Sequence, residues 1–303
     1  MRDILKGDDP QIAAIVAVIA RLAPDILILT DVDFDHDGLA LAALAQRFDT
    51  PYPHRFARMP NAGRASGLDI DGNGRTGEAR DAWGYGRFAG DGGLAVLSRY
   101  PFDLAGFTDH SGRLWRDLPD AVLPVVEGRP FPSQAVWDAL PVSSTAHWDL
   151  PVVLPDGVLH LLTFSATPPV FDGPEDMNGL RARDELRLWA HVLDGVFGPA
   201  PASFVVAGNS NLDPSAGDGD RAAMAEFLAR GDVQDPHAGQ PNADWDQGGP
   251  GRLRVSYLLP SRDWTIAGAG TFWPAPDDAD AVLLGEGGSA AGPHRLVWLD
   301  ISR

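Results

Sequence analysis

The sequence predicts an α/β fold. A helical pattern over residues 9–23, with Asp9 as its N-cap and Pro10 in the first turn, leads into the apolar run at 26–29. Four consecutive apolar residues are typical of a strand covered on both faces. An acidic loop follows, at the end of a strand where α/β proteins place functional groups. The helix, strand and polar loop together indicate an α/β unit.

The rest of the chain continues this alternation. A further helix is predicted over 39–48, and residues 53–92 are expected to form a long irregular excursion. The turn Pro155-Asp156-Gly157 predicts a hairpin between strands 150–154 and 158–164. The Pro/Gly-rich stretch at 236–251 is interpreted as a loop, so residues 1–303 are expected to form one domain. The remaining predictions are strands at 94–97, 204–208, 253–259 and 295–301 and helices at 178–195 and 222–229.

Composition excludes several classes of function. The 42 acidic and 24 basic residues give a formal net charge of −18, which disfavours long nucleic acid and membrane surfaces as partners. There is no cysteine, so disulfides, thiolate metal sites and cysteine nucleophiles are excluded. The beginning of the chain lacks a signal-peptide core, which favours the cytoplasm by default, or the periplasm if the start is truncated.

Six segments carry a family resemblance. They read ILILTDVD, GGLAVLSRYP, LHLLTFSATPP, VVAGNSN, RLRVSYLL and GPHRLVWLDI. In this order they resemble the strand-end motifs of the endonuclease/exonuclease/phosphatase family, from about residue 20 to the end. A bacterial branch of that family is similar also in GLDIDGNGRTG, TAHWDLP and TPPVFDGPEDMNG. The resemblance implies a four-layer α/β sandwich, with two packed mixed β-sheets flanked by helices.

The resemblance also implies that the first strand of the fold is absent or that the start of the chain is truncated. Family members begin with a strand that ends in an asparagine, and the sequence has no counterpart of it before the helix at 9–23. A missing central strand would expose a sheet edge unless something covers it.

Four positions correspond to the catalytic set of the family: Asp31, Asn209, Asn211 and His294. Asp31 stands where a metal-binding glutamate is expected, so the resemblance implies a remnant Mg²⁺ ligand, with a reach shorter by one methylene. Asn209 stands where the family has an aspartate, and an amide supplies neither a general base nor a charge. Asn211 matches the family residue. The resemblance implies Mg²⁺ or Mn²⁺ as cofactor only if catalytic activity is retained.

Three further positions depart from the family pattern. Ser165 replaces a histidine, Ser256 an aspartate, and Pro293 the aspartate that orients the histidine at position 294. The chain is therefore interpreted as an inactive or very weak hydrolase that serves as a binding scaffold for a small phosphorylated ligand, a metal or a protein partner. One alternative is an active divalent-metal-dependent phosphoesterase or nuclease with a rearranged site. Another is a structural or calcium-stabilised module with no ligand in the former catalytic pocket.

Two groups of residues have a functional and a structural interpretation. His147 and Asp149, two apart on one strand, either line a ligand pocket with Ser165 or flank a buried tryptophan. The acidic loop at 31–37 is either a residual metal site or a solvated loop that caps the next helix.

A second ion site is predicted at residues 69–81. Asp69, Asp71 and Asn73 take positions 1, 3 and 5 of an EF-hand-type loop, and the carbonyl of Arg75 takes position 7. Arg80 stands at position 12 where glutamate is usual, so Asp81 is expected to close the site. The hypothesis is Ca²⁺ binding, and the alternative is a glycine-rich turn held by Asx hydrogen bonds.

Overall fold

Fourteen strands and six α-helices form the chain in the computed structural model, which describes residues 2–49, 51–247, 249–285 and 288–303. The strands are β1 Ile26–Val32, β2 His54–Phe56, β3 Gly93–Ser98, β4 Thr108–Asp109, β5 Val125–Val126, β6 Arg129–Pro130, β7 Ala146–Leu154, β8 Gly157–Ser165, β9 Phe204–Asn209, β10 Ala243–Gln247, β11 Pro250–Leu253, β12 Ser256–Pro260, β13 Thr265–Thr271 and β14 Val297–Ser302. The helices are α1 Arg2–Lys6, α2 Pro10–Leu22, α3 Leu39–Ala45, α4 Gln134–Ala139, α5 Met177–Leu193 and α6 Arg221–Leu228.

The larger sheet has five strands in the order β12-β9-β8-β7-β4. Strands β8 and β9 run parallel, while the other neighbours are antiparallel, so the sheet is mixed. On its inner face, Trp148, Leu161 and Val205 pack against Phe56 and Val96 of a three-stranded sheet with the order β1-β3-β2. The two-stranded β13–β14 sheet packs on the same inner face through Ile301.

Helices cover the outside of both sheets. Leu186 and Trp189 of α5 and Met224 of α6 pack on the outer face of the five-stranded sheet. On the opposite side, Ile19 of α2 and Leu41 of α3 pack on the three-stranded sheet. The order helix, sheet, sheet, helix confirms the predicted four-layer α/β sandwich.

The four predicted helices, α2, α3, α5 and α6, begin and end close to the predicted residues, whereas α1 and α4 were not predicted and several strands differ. Strands β7 and β8 begin and end beyond the predicted hairpin, which places His147 and Asp149 inside β7. The expected strand at 253–259 is divided into β11 and β12. The division follows from hydrogen bonding, because the backbone N–H of Arg254 donates to the Asp213 carboxylate instead of a neighbouring strand.

Some strands had no clear signal in the sequence. Strand β10 lies within the stretch at 236–251 that was predicted to be a loop, and β13 was not predicted. In the described part of the chain, α1 and α2 precede β1 and no strand does. The described helices include none with both the length and the apolar character that a membrane crossing requires.

Helix α5 carries two buried charged side chains that hold loops together. The Arg181 guanidinium donates to four carbonyl oxygens, those of Trp83, Pro141, Val142 and Ser143. The Glu185 carboxylate accepts hydrogen bonds from the N–H and hydroxyl of Ser144 and from the N–H of Thr167, at 2.6–2.8 Å. The two buried groups thus satisfy backbone atoms of the segments that precede β7 and follow β8, and Arg181 also binds the loop that contains Trp83.

The stability of the protein is expected to depend on pH through Glu185. Burial raises the pKa of this carboxyl to about 7, although Arg181 and the bonded N–H groups act in the opposite direction. Because the folded state holds the proton more tightly than the unfolded chain, stability falls as pH rises from about 4.5 to about 7. Urea unfolding at pH 5 and pH 8 tests this expectation. Between these pH values the unfolding free energy of the parent should fall by up to about 3 kcal/mol more than that of Glu185→Gln.

The matched control is Glu226→Gln, since Glu226 is exposed on α6. Its unfolding free energy should follow that of the parent at both pH values. Parallel profiles for the parent and Glu185→Gln would contradict the assignment of this titration to Glu185.

Candidate functional site

Three polar side chains stand in a row at the end of the five-stranded sheet. Ser165 ends β8, Asn209 ends β9 and Ser256 begins β12, and the strand registers pair Ser165 with Asn209 and Asn209 with Ser256. Ser165 also lies opposite Ala146, which belongs to the core between the sheets. Residues that are directly opposite share a face of the sheet, so the row faces inward, toward the three-stranded sheet.

A local hydrogen-bond network holds the asparagines of this row. The side-chain amide of Asn209 donates to Asn211 Oδ1 at 3.0 Å, and the amide of Asn211 donates to the carbonyl of Ala166 at 2.7 Å. Asn211 has a positive φ of 57°, a backbone conformation that asparagine tolerates better than most residues. The arrangement is an Asx-type turn at the strand end, and it uses much of the hydrogen-bonding capacity of both amides.

Asp31 approaches from the other sheet. It is the extra residue of a bulge in β1, between Thr30 and Val32, and has a φ of 58°. A bulge re-aims one side chain at a strand end, which is a common device beside functional sites. The carboxylate is exposed and lies over Gly92, where an added methyl group would stand 2.9 Å from Oδ1.

His294 is held near Asp31 by pairing with β10. The segment 293–295 pairs with residues 242–244, and the imidazole meets the ring of Trp245 edge-on at 5.2 Å between centroids. The surrounding protein lowers the pKa of His294 by desolvation, even though the residue keeps an exposed side, while the charge of Asp31 partly offsets this effect. The surroundings of His294 therefore favour the neutral imidazole.

Asn242 links the two halves of the site, and sequence reasoning missed it. This fully buried residue donates to the carbonyl of Ser256 at 2.7 Å, accepts from the N–H groups of Val255 and Ser256, and its own carbonyl accepts from the N–H of Arg295. It therefore joins the start of β12 to the segment that carries His294. Its partners lie 13 to 53 positions away, and a lone asparagine in a polar loop carries no local signal of them.

The residues around Asp31 fit a Mg²⁺ ion poorly. Among the described residues, the one group of three or more His, Asp or Glu side chains with convergent ligand atoms lies elsewhere. Asp35 of the acidic loop caps α3, accepting from the N–H groups of Leu39 and Ala40 at 2.6 and 3.0 Å. Mg²⁺ usually requires one or two carboxylates in near-octahedral geometry together with water. At this site Asp31 contributes a carboxylate, whereas Ser165, Asn209 and Ser256 are neutral.

The three residues predicted to line a ligand pocket lie on opposite faces of the sheet. The buried His147 ring is 2.8 Å from Ser143 Oγ and 2.9 Å from the carbonyl of Glu185, and burial lowers its pKa to about 3. Asp149, two residues along the same strand, contacts the ring of His160 at 2.8 Å. Both side chains face the layer of α5, whereas Ser165 faces inward, so the three do not form one pocket.

A convergent carboxylate cluster does form at residues 69–81. The carboxylates of Asp69, Asp71 and Asp81 each offer an oxygen within 4.8 Å of the others. Asp81 is buried and accepts from the N–H groups of Ile70 and Glu78, which brings it back to the start of the loop. The side chain of Asn73 donates to Asp71 and Glu78, at 3.0 and 2.7 Å.

Solved structures share this fold at low sequence identity. An endonuclease/exonuclease/phosphatase from Beutenbergia cavernae has 17% identity and a TM-score of 0.56; the match covers 97% of this chain and 66% of that one. A family protein from Leptotrichia buccalis has 11% identity and a TM-score of 0.53, and the match covers 97% of this chain and 93% of that one. The 3′ phosphatase NExo from Neisseria, bound to a product DNA hairpin, has 14% identity and a TM-score of 0.51, and the match covers 94% of this chain and 92% of that one.

These likenesses establish the fold, and the chain spans 66% of the length of the Beutenbergia protein. No curated protein matches the chain. The sequence itself matches the Endonuclease/Exonuclease/phosphatase family over residues 4–296, which covers every element from α2 to β13 and all of the strand-end positions described above. The protein therefore belongs to the Endonuclease/Exonuclease/phosphatase family.

Proposed function

We propose that this protein is a family member with a degenerate phosphoesterase site, inactive or a very weak hydrolase, which acts as a binding scaffold for a small phosphorylated ligand. The observation that carries the proposal is the neutral row of Ser165, Asn209 and Ser256 at the strand ends, on the sheet face that is turned toward the layer containing Asp31. Family chemistry needs carboxylates around a metal ion and a base that activates water. Neutral side chains at these positions supply neither.

The residues present are better suited to binding than to proton transfer. The hydroxyl groups of Ser165 and Ser256 and the amide of Asn209 are hydrogen-bond donors suited to phosphoryl oxygens. His294 follows Pro293, so the adjacent position has no carboxylate to fix its tautomer and orientation. Asn211 bonds to the carbonyl of Ala166 and thereby positions Asn209 rather than a ligand.

Charge favours a small ligand over long nucleic acid. The net charge of −18 repels an extended phosphate backbone, whereas one phosphate group needs only a local set of donors. The Neisseria relative binds a DNA hairpin, and this chain lacks the overall positive charge that such a partner favours.

The alternative function is an active divalent-metal-dependent phosphoesterase or nuclease with a rearranged site. One observation favours it, since Asp31 lies close enough to His294 for its charge to raise the pKa of the imidazole. The two side chains then retain a carboxylate and an imidazole at the site, with Mg²⁺ or Mn²⁺ as cofactor.

Hydrolysis assays separate the two functions. With Mg²⁺ or Mn²⁺ and generic phosphomonoesters and phosphodiesters, the parent protein should stay at the uncatalysed rate. A variant that restores the family side chains, S165H/N209D/S256D/P293D, should gain metal-dependent turnover of about 10²-fold or more, because it recovers a general base and metal ligands. Metal-dependent turnover by the parent that Asp31→Ala abolishes would establish the active alternative.

Binding of a phosphate diester should depend on the protonation of His294. NMR titration with dimethyl phosphate, an anion of constant charge near neutral pH, should show tighter binding as pH falls below about 6.5, through the lowered pKa of His294. The sign follows because only the imidazolium attracts the anion. His294→Gln should remove this pH dependence, while His54→Gln, a histidine on β2, should retain it. Unchanged pH dependence in His294→Gln would exclude His294 from the ligand site.

We propose further that the loop at 69–81 binds Ca²⁺. The support is the convergence of Asp69, Asp71 and Asp81, within 4.8 Å, in a loop whose first half has the EF-hand spacing. Asn73 and the carbonyl of Arg75 are the further oxygen ligands expected of such a loop. Its role would be structural, because Asp81 already joins the two ends of the loop.

Calorimetry and thermal shift test the calcium site. Addition of Ca²⁺ to the parent should release or absorb heat and raise Tm, and EDTA should reverse the shift, because the ion binds the folded state preferentially. The double variant Asp69→Ala/Asp71→Ala should lose both effects, whereas Asp31→Ala should keep them. Equal heats from the double variant and the parent would refute the site.

A further inference from the structure

Two Asn-Gly pairs occur in the chain, Asn73-Gly74 and Asn178-Gly179. In such a pair the backbone nitrogen of the glycine can attack the side-chain amide of the asparagine, because glycine has no Cβ to hinder the approach and reaches many backbone conformations. The structure gives the two pairs opposite surroundings. Asn73 and Gly74 are exposed in the loop at 69–81, whereas Gly179 is buried in the first turn of α5.

A hydrogen bond prepares the side-chain carbonyl of Asn73 for such an attack. The backbone N–H of Arg75 donates to Asn73 Oδ1 at 2.8 Å. The bond closes a turn that includes Gly74, so it holds the side-chain carbonyl beside the backbone nitrogen of that glycine. A donor aimed at a carbonyl oxygen also stabilises the negative charge that develops there when a nucleophile adds.

A carboxylate stands at the attacking nitrogen. The N–H of Gly74 donates to Asp69 Oδ2 at 2.9 Å. A carboxylate within hydrogen-bond reach of a proton can accept it as a general base. Gly74 has a φ of 85°, and a Cβ added to it would meet no atom within 4 Å, so no side chain crowds this turn.

The nitrogen of the Asn73 amide is fixed as well. Nδ2 donates to Asp71 Oδ2 at 3.0 Å and to Glu78 Oε2 at 2.7 Å. The amide therefore has its oxygen toward a donor and its nitrogen toward two acceptors, which sets the plane that faces Gly74. Fixing the geometry of two reacting groups lowers the entropic part of the barrier between them.

The second pair has none of these features. Asn178 Nδ2 donates to the carbonyl of Val170 at 2.7 Å, away from the backbone of the next residue. A Cβ added to Gly179 would lie 2.1 Å from Asp176 Oδ1, so the surroundings of this glycine are crowded. Ring closure at Asn178 would require the first turn of α5 to open, and the pair is therefore an internal control.

We propose that Asn73 is a site of spontaneous deamidation in the folded protein, with Asp69 as the base. The Gly74 nitrogen forms a bond to Asn73 Cγ, the Cγ–Nδ2 bond breaks, and the proton lost by Gly74 leaves with the amide nitrogen as ammonia. Water then opens the resulting succinimide at either of its two carbonyl groups, which yields aspartate or isoaspartate. The reaction requires no bound ion, so it is independent of the Ca²⁺ site proposed above.

The modification changes the charge and the hydrogen bonds of the loop. It removes the amide donor shared by Asp71 and Glu78 and places a further carboxylate beside them. Isoaspartate also lengthens the backbone by one methylene group. Both products therefore loosen the turn through which Asn73 contacts the two carboxylates.

Peptide mapping by mass spectrometry tests the proposal on the full chain. The parent is kept at pH 8 with EDTA, once folded and once in guanidinium chloride, and the peptides that contain residues 73 and 178 are followed. Conversion of an amide to a carboxyl group raises the peptide mass by about 1 Da. In denaturant both asparagines should convert at similar rates. In the folded protein Asn73 should convert at least as fast as in denaturant, and Asn178 about tenfold or more slowly.

A variant tests the role of Asp69. Asp69→Asn keeps an oxygen that accepts from the N–H of Gly74 but removes the base, so it should slow the conversion of Asn73 several-fold. The matched control is Asp277→Asn, because Asp277 is exposed outside the loop; it should convert Asn73 at the rate of the parent. Slow conversion of Asn178 shows in each variant that the protein is folded.

Three results would overturn the proposal. The first is an Asn73 that stays intact in the folded protein while it converts in denaturant. The second is equal conversion of Asn73 in Asp69→Asn and the parent, with Asn178 slow in both. The third is aspartate without isoaspartate as the product, which would indicate direct hydrolysis of the amide instead of attack by Gly74.

Discussion

The arrangement of the larger sheet depends on two buried charges of helix α5. Arg181 satisfies four carbonyl oxygens of residues 83 and 141–143, and Glu185 accepts from Ser144 and Thr167. Buried ions are costly unless hydrogen bonds satisfy them, and here they satisfy backbone groups that have no strand partner. The helix therefore sets the path of the chain into β7 and out of β8.

This constraint extends to the candidate site through backbone hydrogen bonds. Glu185 holds Thr167, and the preceding residue, Ala166, bonds to Asn209 through its N–H and to Asn211 through its carbonyl. On the other side of the site, Asn242 performs a similar task for Ser256 and Arg295. The site is thus held by buried polar groups that bond to the backbone of the neighbouring segments, so its geometry does not depend on the neutral side chains at the strand ends.

The two layers of sheet differ in completeness. The five-stranded sheet is continuous, whereas the opposing layer consists of a three-stranded sheet and the two-stranded β13–β14 sheet, with a cavity of about 900 Å³ between them. Asp31 and His294 come from the two sides of that cavity. The relative positions of these two residues therefore depend on how the two parts of this layer pack against the five-stranded sheet.

The sequence by itself determined the family, the layer order and the strand-end positions, because these follow from local apolar runs and from motifs whose order the fold preserves. It also predicted that the carboxylates of Asp69, Asp71 and Asp81 lie close together, since the loop that joins them is short. Tertiary structure decided that His147 is a core residue while Ser165 faces the other layer, because the extent of β7 and its register were not visible in the turn signal. It alone revealed the roles of Asn242 and Glu185, since each depends on contacts between segments that are distant along the chain, and local sequence patterns carry no information on such contacts.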